Sequence, residues 1–202
     1  QNGITTVQIG DASAQLQVFG RHNLLNVNAA KLVCRQLDIS ESRFAGFIAT
    51  FRGASKRLEL LAGNKDAAIY RDFAHAPSKV KATIQAVKEQ YPQRKLIAVL
   101  ELHTYSSLNA EFLKEYAGAM NAADIAVIFY SSHALQIKRL PELTIEQIQS
   151  GFQRNDLNVF HDTKSMINFL DKQSSRMSGI NLLMMSSGNF DGMDLNDIIK
   201  YV

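Results

Sequence analysis

Five short runs, Ala67 to Tyr70, Lys95 to Leu100, Ile125 to Phe129, Leu157 to Phe160 and Ile180 to Met185, restrict the fold of this chain more than any other feature. Each is apolar or nearly so and too short for a buried helix, so each reads as a strand. Between them the apolar residues recur at helical spacing. Val80, Ile84 and Val87 form one face of a segment from Pro77 to Tyr91, and Leu108 to Met120, Ile145 to Phe152, Lys164 to Gln173 and Leu195 to Val202 complete the series. Short apolar strands alternating with helices predict an α/β domain whose mostly parallel sheet is covered on both faces.

Residues before this alternation follow a different pattern. Thr5 to Ile9 and Gln15 to Val18 are bounded by Gly10-Asp11 and Gly20 and read as paired strands. A helix is expected from His22 to about Asp38, then a short one from Glu41 towards Phe51 with Ser40 as its cap. Arg57 to Leu61 alternates like a strand and joins the Ala67 strand through the turn Gly63 to Asp66. These shifts set a domain boundary near Leu60, dividing residues 1–60 from residues 61–202.

Composition removes several function classes. The formal charge is +3, with Lys and Arg scattered among acids, so no nucleic-acid footprint is expected. Cys34 is the single cysteine, which excludes an internal disulfide and suits a reducing, cytoplasmic setting; core packing is its expected role. No apolar run reaches about 18 residues and no basic-then-apolar leader opens the chain, so membrane insertion is not expected. The five histidines are spread singly, which argues against a zinc centre. The sequence starts at Gln1 without a methionine, and the expectation is an excised piece of a longer polypeptide. Phosphate-loop, dinucleotide, metalloprotease and nucleophile-elbow motifs are all absent from it.

What remains is a set of polar residues at element ends. Pro77 suits the first turn of a helix, so Asp72 and His75 fall on the connection between the Ala67 strand and that helix. In open α/β sheets this edge binds ligands. Asp72 equally suits a turn cap, and His75 a solvated loop residue. Asn23 and Asn26 lie three apart at a helix start, where capping and surface polarity also explain them. Arg57 stands at the domain junction, a position open to an ordinary surface salt bridge. Glu101 and His103 end one strand, and Ser186 to Asn189 end another or simply make a turn. Met184 and Met185 read as core.

In their order along the chain these residues resemble the Mur ligase family, ATP-dependent enzymes that join amino acids or peptides to UDP-N-acetylmuramic acid. Gly20 to Ala30 is similar to the family's G-x-H-N-x-x-N-x-x-A-A segment, Phe51 to Glu59 to its F-x-G-x-x-x-R-x-E junction, and Asp72 to Pro77 to its D-[YF]-[AG]-H-x-P turn. The resemblance implies that residues 1–60 are the tail of a central ATPase domain and residues 61–202 a Rossmann-like C-terminal domain. The phosphate loop and the Mg²⁺ ligands would then precede Gln1, and this fragment alone would be inactive. Phe73-Ala74-His75, Glu101 and Met185 to Gly192 look most like the family branch that recycles a murein tripeptide, L-alanyl-γ-D-glutamyl-meso-diaminopimelate. The alanine-adding branch is the alternative, and a non-catalytic Rossmann-like binding module is another. Arg71, Ala76 and Lys56 depart from the family's usual residues.

The family reaction activates a carboxylate as an acyl phosphate with ATP and Mg²⁺ and lets an amine attack it, which calls for cationic clamps and a fixed nucleotide. The resemblance assigns His22, Asn23 and Asn26 to the adenine, Asp72 to the ribose hydroxyls and Arg57 to the phosphates or ribose. His75 would orient the amine or a phosphate. Glu101, His103, Ser187 and Asn189 would receive the peptide. The implied partners are UDP-N-acetylmuramate, the murein tripeptide and the upstream domains of the same polypeptide.

Overall fold

The computed structural model describes residues 3–174 and 178–202; Gln1 lies outside them. In chain order the elements are β1 (Thr5–Ile9), β2 (Ala12–Leu16), α1 (Arg21–Gln36), α2 (Glu41–Ala49), β3 (Glu59–Gly63) and β4 (Ala68–Asp72). There follow α3 (Pro77–Gln90), β5 (Lys95–Glu101), a 3₁₀ turn (Phe112–Tyr116), β6 (Ile125–Phe129), α4 (Ser132–Lys138) and α5 (Ile145–Phe152). The chain closes with β7 (Asn158–Phe160), α6 (Thr163–Ser174), β8 (Ile180–Met185) and α7 (Asn196–Ile199).

Side chains of successive strand residues point to opposite faces, and here both faces are apolar. In β5, Leu96, Ala98 and Leu100 enter one core cluster while Ile97 and Val99 enter the other. In β8, Leu183 and Met185 oppose Leu182 and Met184 in the same way. Such a sheet must be covered twice. Val80, Ile84 and Val87 of α3 and Ile148 and Phe152 of α5 cover the first face; Met166 and Leu170 of α6 and Ile198 of α7 cover the second.

The sheet has six strands in the order β3-β4-β8-β5-β6-β7. Only β3 runs antiparallel to its neighbour, so the mostly parallel α/β fold expected from the sequence is the fold observed. The β1–β2 hairpin forms its own two-stranded sheet and packs with α1 and α2 around Ile9, Leu16, Val27 and Phe44. Phe19 links the two parts. Its ring meets Tyr70 and Tyr91 edge-on at 5.5 and 6.1 Å, and the two tyrosine hydroxyls are 2.7 Å apart.

Several expectations need correction. The segment Leu108 to Met120 is a series of turns around the short 3₁₀ turn, since Gly118 takes φ +69° and donates its N–H to the Phe152 carbonyl. The helix α4 was not anticipated; Ser131 caps it at Ala134 N. The second strand is Ala12–Leu16, paired directly across Gly10-Asp11, in place of Gln15 to Val18. The strand read from Arg57 begins at Glu59, and the closing helix spans only Asn196–Ile199.

Two helical glycines predict opposite responses to alanine. A Cβ at Gly151 in α5 would lie 2.5 Å from the Leu113 Cβ and 2.9 Å from its carbonyl carbon, whereas one at Gly46 in α2 meets nothing within 4 Å. Gly46→Ala is expected to gain about 1 kcal/mol from helix propensity. Gly151→Ala is expected to lose about 1–3 kcal/mol through overpacking. Urea unfolding of the two variants measures both; equal signs would contradict the close approach of α5 to the 3₁₀ turn.

Candidate functional site

Asp72 is the last residue of β4, a correction to its expected place on the connection. It is 6% exposed. A buried carboxylate is tolerated when hydrogen bonds replace its water, and here two backbone amides do so. Leu58 N donates to Oδ2 at 2.6 Å and Ala74 N to Oδ1 at 2.7 Å. Burial raises the Asp72 pKa, opposed by those two amides and by the charges of His22 and Arg57.

The Asp72 carboxylate reaches a cleft of about 1150 Å³ whose walls include His22, Asn23, Asn26, Arg57 and His75. The five residues that the resemblance assigns to the nucleotide therefore line one cleft together with His75. Gly20 makes this possible: it takes φ +84°, and a Cβ there would lie 2.6 Å from the Ala86 Cβ. The start of α1 is thereby pressed against α3, facing its first turn. Asn23 spends its Nδ2 on the Phe19 carbonyl at 2.9 Å, while Asn26 is exposed. Burial lowers the His22 pKa, with Asp72 opposing and Lys79 reinforcing the shift.

His75 is oriented at two points. Its Nδ1 lies 2.9 Å from the Phe73 carbonyl, and its own carbonyl accepts from the Tyr116 hydroxyl at 2.5 Å. A carbonyl can only accept, so Nδ1 carries a proton, and in the neutral form of the ring Nε2 is the acceptor. The Arg57 guanidinium lies over the Phe73 ring at 5.3 Å, beside this histidine. The sequence reading missed Ser78, Lys79 and Thr83, which also line the cleft. Their signal was available, since Pro77 put the first turn of α3 at the carboxyl edge.

The second set of residues divides. Glu101 is 2% exposed and turned inward, where it accepts from the Ser186 hydroxyl and from Phe190 N, the latter at 2.9 Å. His103 Nδ1 stands 3.6 Å from its other oxygen. Gly188 is wedged beside both, because a Cβ there would lie 2.8 Å from the His103 ring and 2.9 Å from Glu101 Oε2. The Ser187 hydroxyl is buried without a hydrogen-bond partner. Asn189 is exposed at the rim of a smaller cavity of about 180 Å³, shared with Lys56, Arg71 and Asp72. Of the four, His103 and Asn189 alone present their side chains outward. Met184 and Met185 are fully buried core. Among the described residues no three His, Cys, Asp or Glu side chains group as a metal site, and no helix is long and apolar enough to cross a membrane.

An α/β domain of Rossmann-like kind, with a ligand-sized cleft at the carboxyl edge of its sheet, is the class that this fold and site define. Residues 56–188 match the family described as "Mur ligase, glutamate ligase domain", and the chain belongs to the Mur ligase family. A UDP-N-acetylmuramate–L-alanine ligase of Synechococcus sp. is 34% identical over 170 residues, covering 72% of this chain and 35% of that protein. Another, of Arthrobacter sp., is 35% identical over 119 residues, covering 59% of this chain and 25% of that protein. The chain thus spans about a quarter to a third of the length of the curated relatives it matches. Among solved structures, a UDP-N-acetylmuramate–alanine ligase from Thermotoga maritima superposes with TM-score 0.68 at 17% identity, over 94% of this chain and 40% of that one. A murein peptide ligase from Psychrobacter arcticus does so with TM-score 0.60 at 20% identity, over 99% and 42%. These two show the fold.

Two predictions follow from the electrostatics. Asp72→Asn cannot accept from both Leu58 N and Ala74 N, so one amide faces an N–H₂ group; the expected loss is about 1–3 kcal/mol in urea unfolding. For His22 the folded pKa is lowered from 6.5. Its contribution is therefore present above the unfolded value and lost as pH falls through the lowered one. The stability advantage of the wild type over His22→Gln should shrink as pH falls below 6.5. A constant difference would mean that this imidazole is not desolvated.

Proposed function

We propose that the chain is the C-terminal part of an ATP-dependent ligase that forms a C–N bond on UDP-N-acetylmuramate, in the cytoplasm. The observation that carries this reading is the convergence of residues from three separated motifs, His22 to Asn26, Arg57, and Asp72 to His75, on one cleft. Its volume of about 1150 Å³ exceeds the roughly 300–1,000 Å³ usual for ligand pockets, so a nucleotide has room. ATP supplies the phosphoryl group and Mg²⁺ its charge neutralisation, with the phosphate loop and metal ligands on upstream residues.

This chain's residues then hold and orient. Each Asp72 oxygen accepts one amide and keeps a lone pair for a ribose hydroxyl. Asn26 and the side-chain carbonyl oxygen of Asn23 suit an adenine edge, beside a His22 whose pKa burial lowers. Arg57 faces the same cleft as the cation for phosphate charge, and the His75 Nε2 acceptor suits an amine proton. Residues 1–60 belong in this reading to the central domain, although Glu59 and Leu60 already pair with β4. On α1 and its C-cap, Leu25, Val33 and Leu37 are 59%, 61% and 67% exposed, apolar side chains suited to the upstream domains of the same polypeptide.

For the amine donor we infer the murein tripeptide, in peptidoglycan recycling. Phe73-Ala74-His75, Glu101 and Met185 to Gly192 support it, and His103 and Asn189 lie along the edge that a long peptide could span. Binding energy from its remote end would be available to orient the amine. The second reading is L-alanine as donor, favoured by the names of the curated relatives.

Three measurements test these statements. In the natural full-length polypeptide, Arg57→Ala should lower kcat, while Asn26→Ala should mainly raise the KM for ATP, each by about tenfold or more. The specificity constant should favour the tripeptide over L-alanine; equal constants would replace the tripeptide reading with the alanine one. Purified residues 1–202 should release no ADP in a peptide-dependent way, because the γ-phosphate cradle is proposed to lie elsewhere.

A further inference from the structure

Arg57 sits between two residues that L side chains rarely allow: Lys56 at φ +55° and Leu58 at φ +49°. Left-handed backbone at non-glycine residues is held only where surrounding contacts over-determine it. Four contacts do so here. Leu58 N is bound by Asp72 and its side chain is buried in the main core. The Lys56 carbonyl accepts from Phe73 N at 2.8 Å. Arg57 N donates to the Ala54 carbonyl at 3.1 Å. The fourth contact comes from outside the cleft: Lys56 N donates to Glu59 Oε2 at 2.7 Å. That oxygen is gripped in turn by Arg71, whose Nη2 and Nε lie 2.7 and 3.2 Å away across the β3–β4 pair.

We propose that Glu59, latched by Arg71, is a positioning residue that fixes the left-handed turn at Lys56 and so aims Arg57 at the phosphate end of the cleft. This rests on the reading of Arg57 given above and adds to it the residues that act through Arg57. The Lys56 amide and the Arg71 side chain hold the Glu59 pKa low, so the latch is a carboxylate at neutral pH. Neither Glu59 nor Arg71 lines the cleft, so any effect on nucleotide must travel through the turn. Arg71, which departs from the residue usual in the family, gains a role here: the arginine faces Glu59 across the hairpin, where an acid would repel it.

The test uses the natural full-length polypeptide and calorimetric binding of ADP and of a non-hydrolysable ATP analogue, with thermal midpoints recorded alongside. Glu59→Ala is expected to weaken the triphosphate about tenfold while leaving ADP within about twofold, on the scale of one charge-assisted hydrogen bond. In an Arg57→Ala background the same substitution should cost nothing further, since coupled residues are non-additive. Glu59→Gln keeps an acceptor for Lys56 N and should retain most of the affinity. Arg71→Met unlatches the carboxylate without removing it and should show the same triphosphate-selective loss, which keeps the idea testable if Glu59→Ala fails to fold. Equal losses in both backgrounds, or parallel losses of ADP and triphosphate, would overturn the positioning role while leaving Arg57 in place. If Arg57→Ala itself leaves the triphosphate-to-ADP ratio unchanged, the assignment of Arg57 to phosphate fails first, and this proposal with it.

Discussion

The buried carboxylate of Asp72 is the interaction on which the arrangement depends. It ends the first parallel strand, and its two oxygens bind one amide before the sheet and one after it: Leu58 on the junction and Ala74 on the turn into α3. An acid placed there without both amides would carry a desolvation cost of several kcal/mol. With both, the same group becomes a cross-brace between the junction before β3 and the turn after β4. The brace explains why the walls of the cleft share a corner: the junction brings Arg57, the turn brings His75, and the carboxylate lies between them.

The N-terminal part has a small core of its own and is positioned by other contacts. A lone two-stranded hairpin is marginal in water, and α1 buries only Val27 among its sixteen residues. Its position is fixed from outside by Phe19 against Tyr70 and Tyr91, by the hydrogen bond from Thr5 Oγ1 to Gln90, and by Gly20 lying against Ala86. All of these partners belong to β4, to α3 or to the residue just after α3. The helix that carries His22, Asn23 and Asn26 is therefore held by the element whose first turn faces it, and the geometry of the cleft follows from that contact more than from α1 itself.

What could be read from the sequence divides along physical lines. The strands β4, β5, β6 and β8 were legible because burial on both faces leaves continuous apolar runs that nothing else of that length explains. The segment from Leu108 to Met120 misled for a related reason: Leu108, Leu113, Tyr116 and Met120 are all buried, so their spacing imitates a helix face. The side chain of Asn109, which accepts from Glu111 N, and the left-handed Gly118 break the ladder locally. Seven-residue α4 was too short to display a period. The residues of the cleft were legible through their motifs, but the burial of Asp72 was not. A polar residue at a strand end gives no sign of which amides will reach it, and the amide of Leu58 comes from the far side of a hairpin.

Glu101 shows how a residue at a strand end can take an inward place that its motif does not announce. It helped to suggest a peptide-binding edge, yet its carboxylate points inward, holding Ser186 and Phe190 and standing beside His103. Its chemistry fixes the shape of the loop after β8. Gly188 fits only because that loop passes within 2.8 Å of the His103 ring for any added Cβ, so the glutamate, the histidine and the glycine form one packed unit. What this unit presents outward is chiefly Asn189 and the exposed edge of His103, and under the proposed tripeptide reading these two would be the groups left to meet a donor. A Glu101 substitution would be expected to move Asn189 first, because the bonds to Ser186 and Phe190 N that bracket Asn189 would be lost, so within the proposed ligase reading a changed donor preference there would report loop geometry.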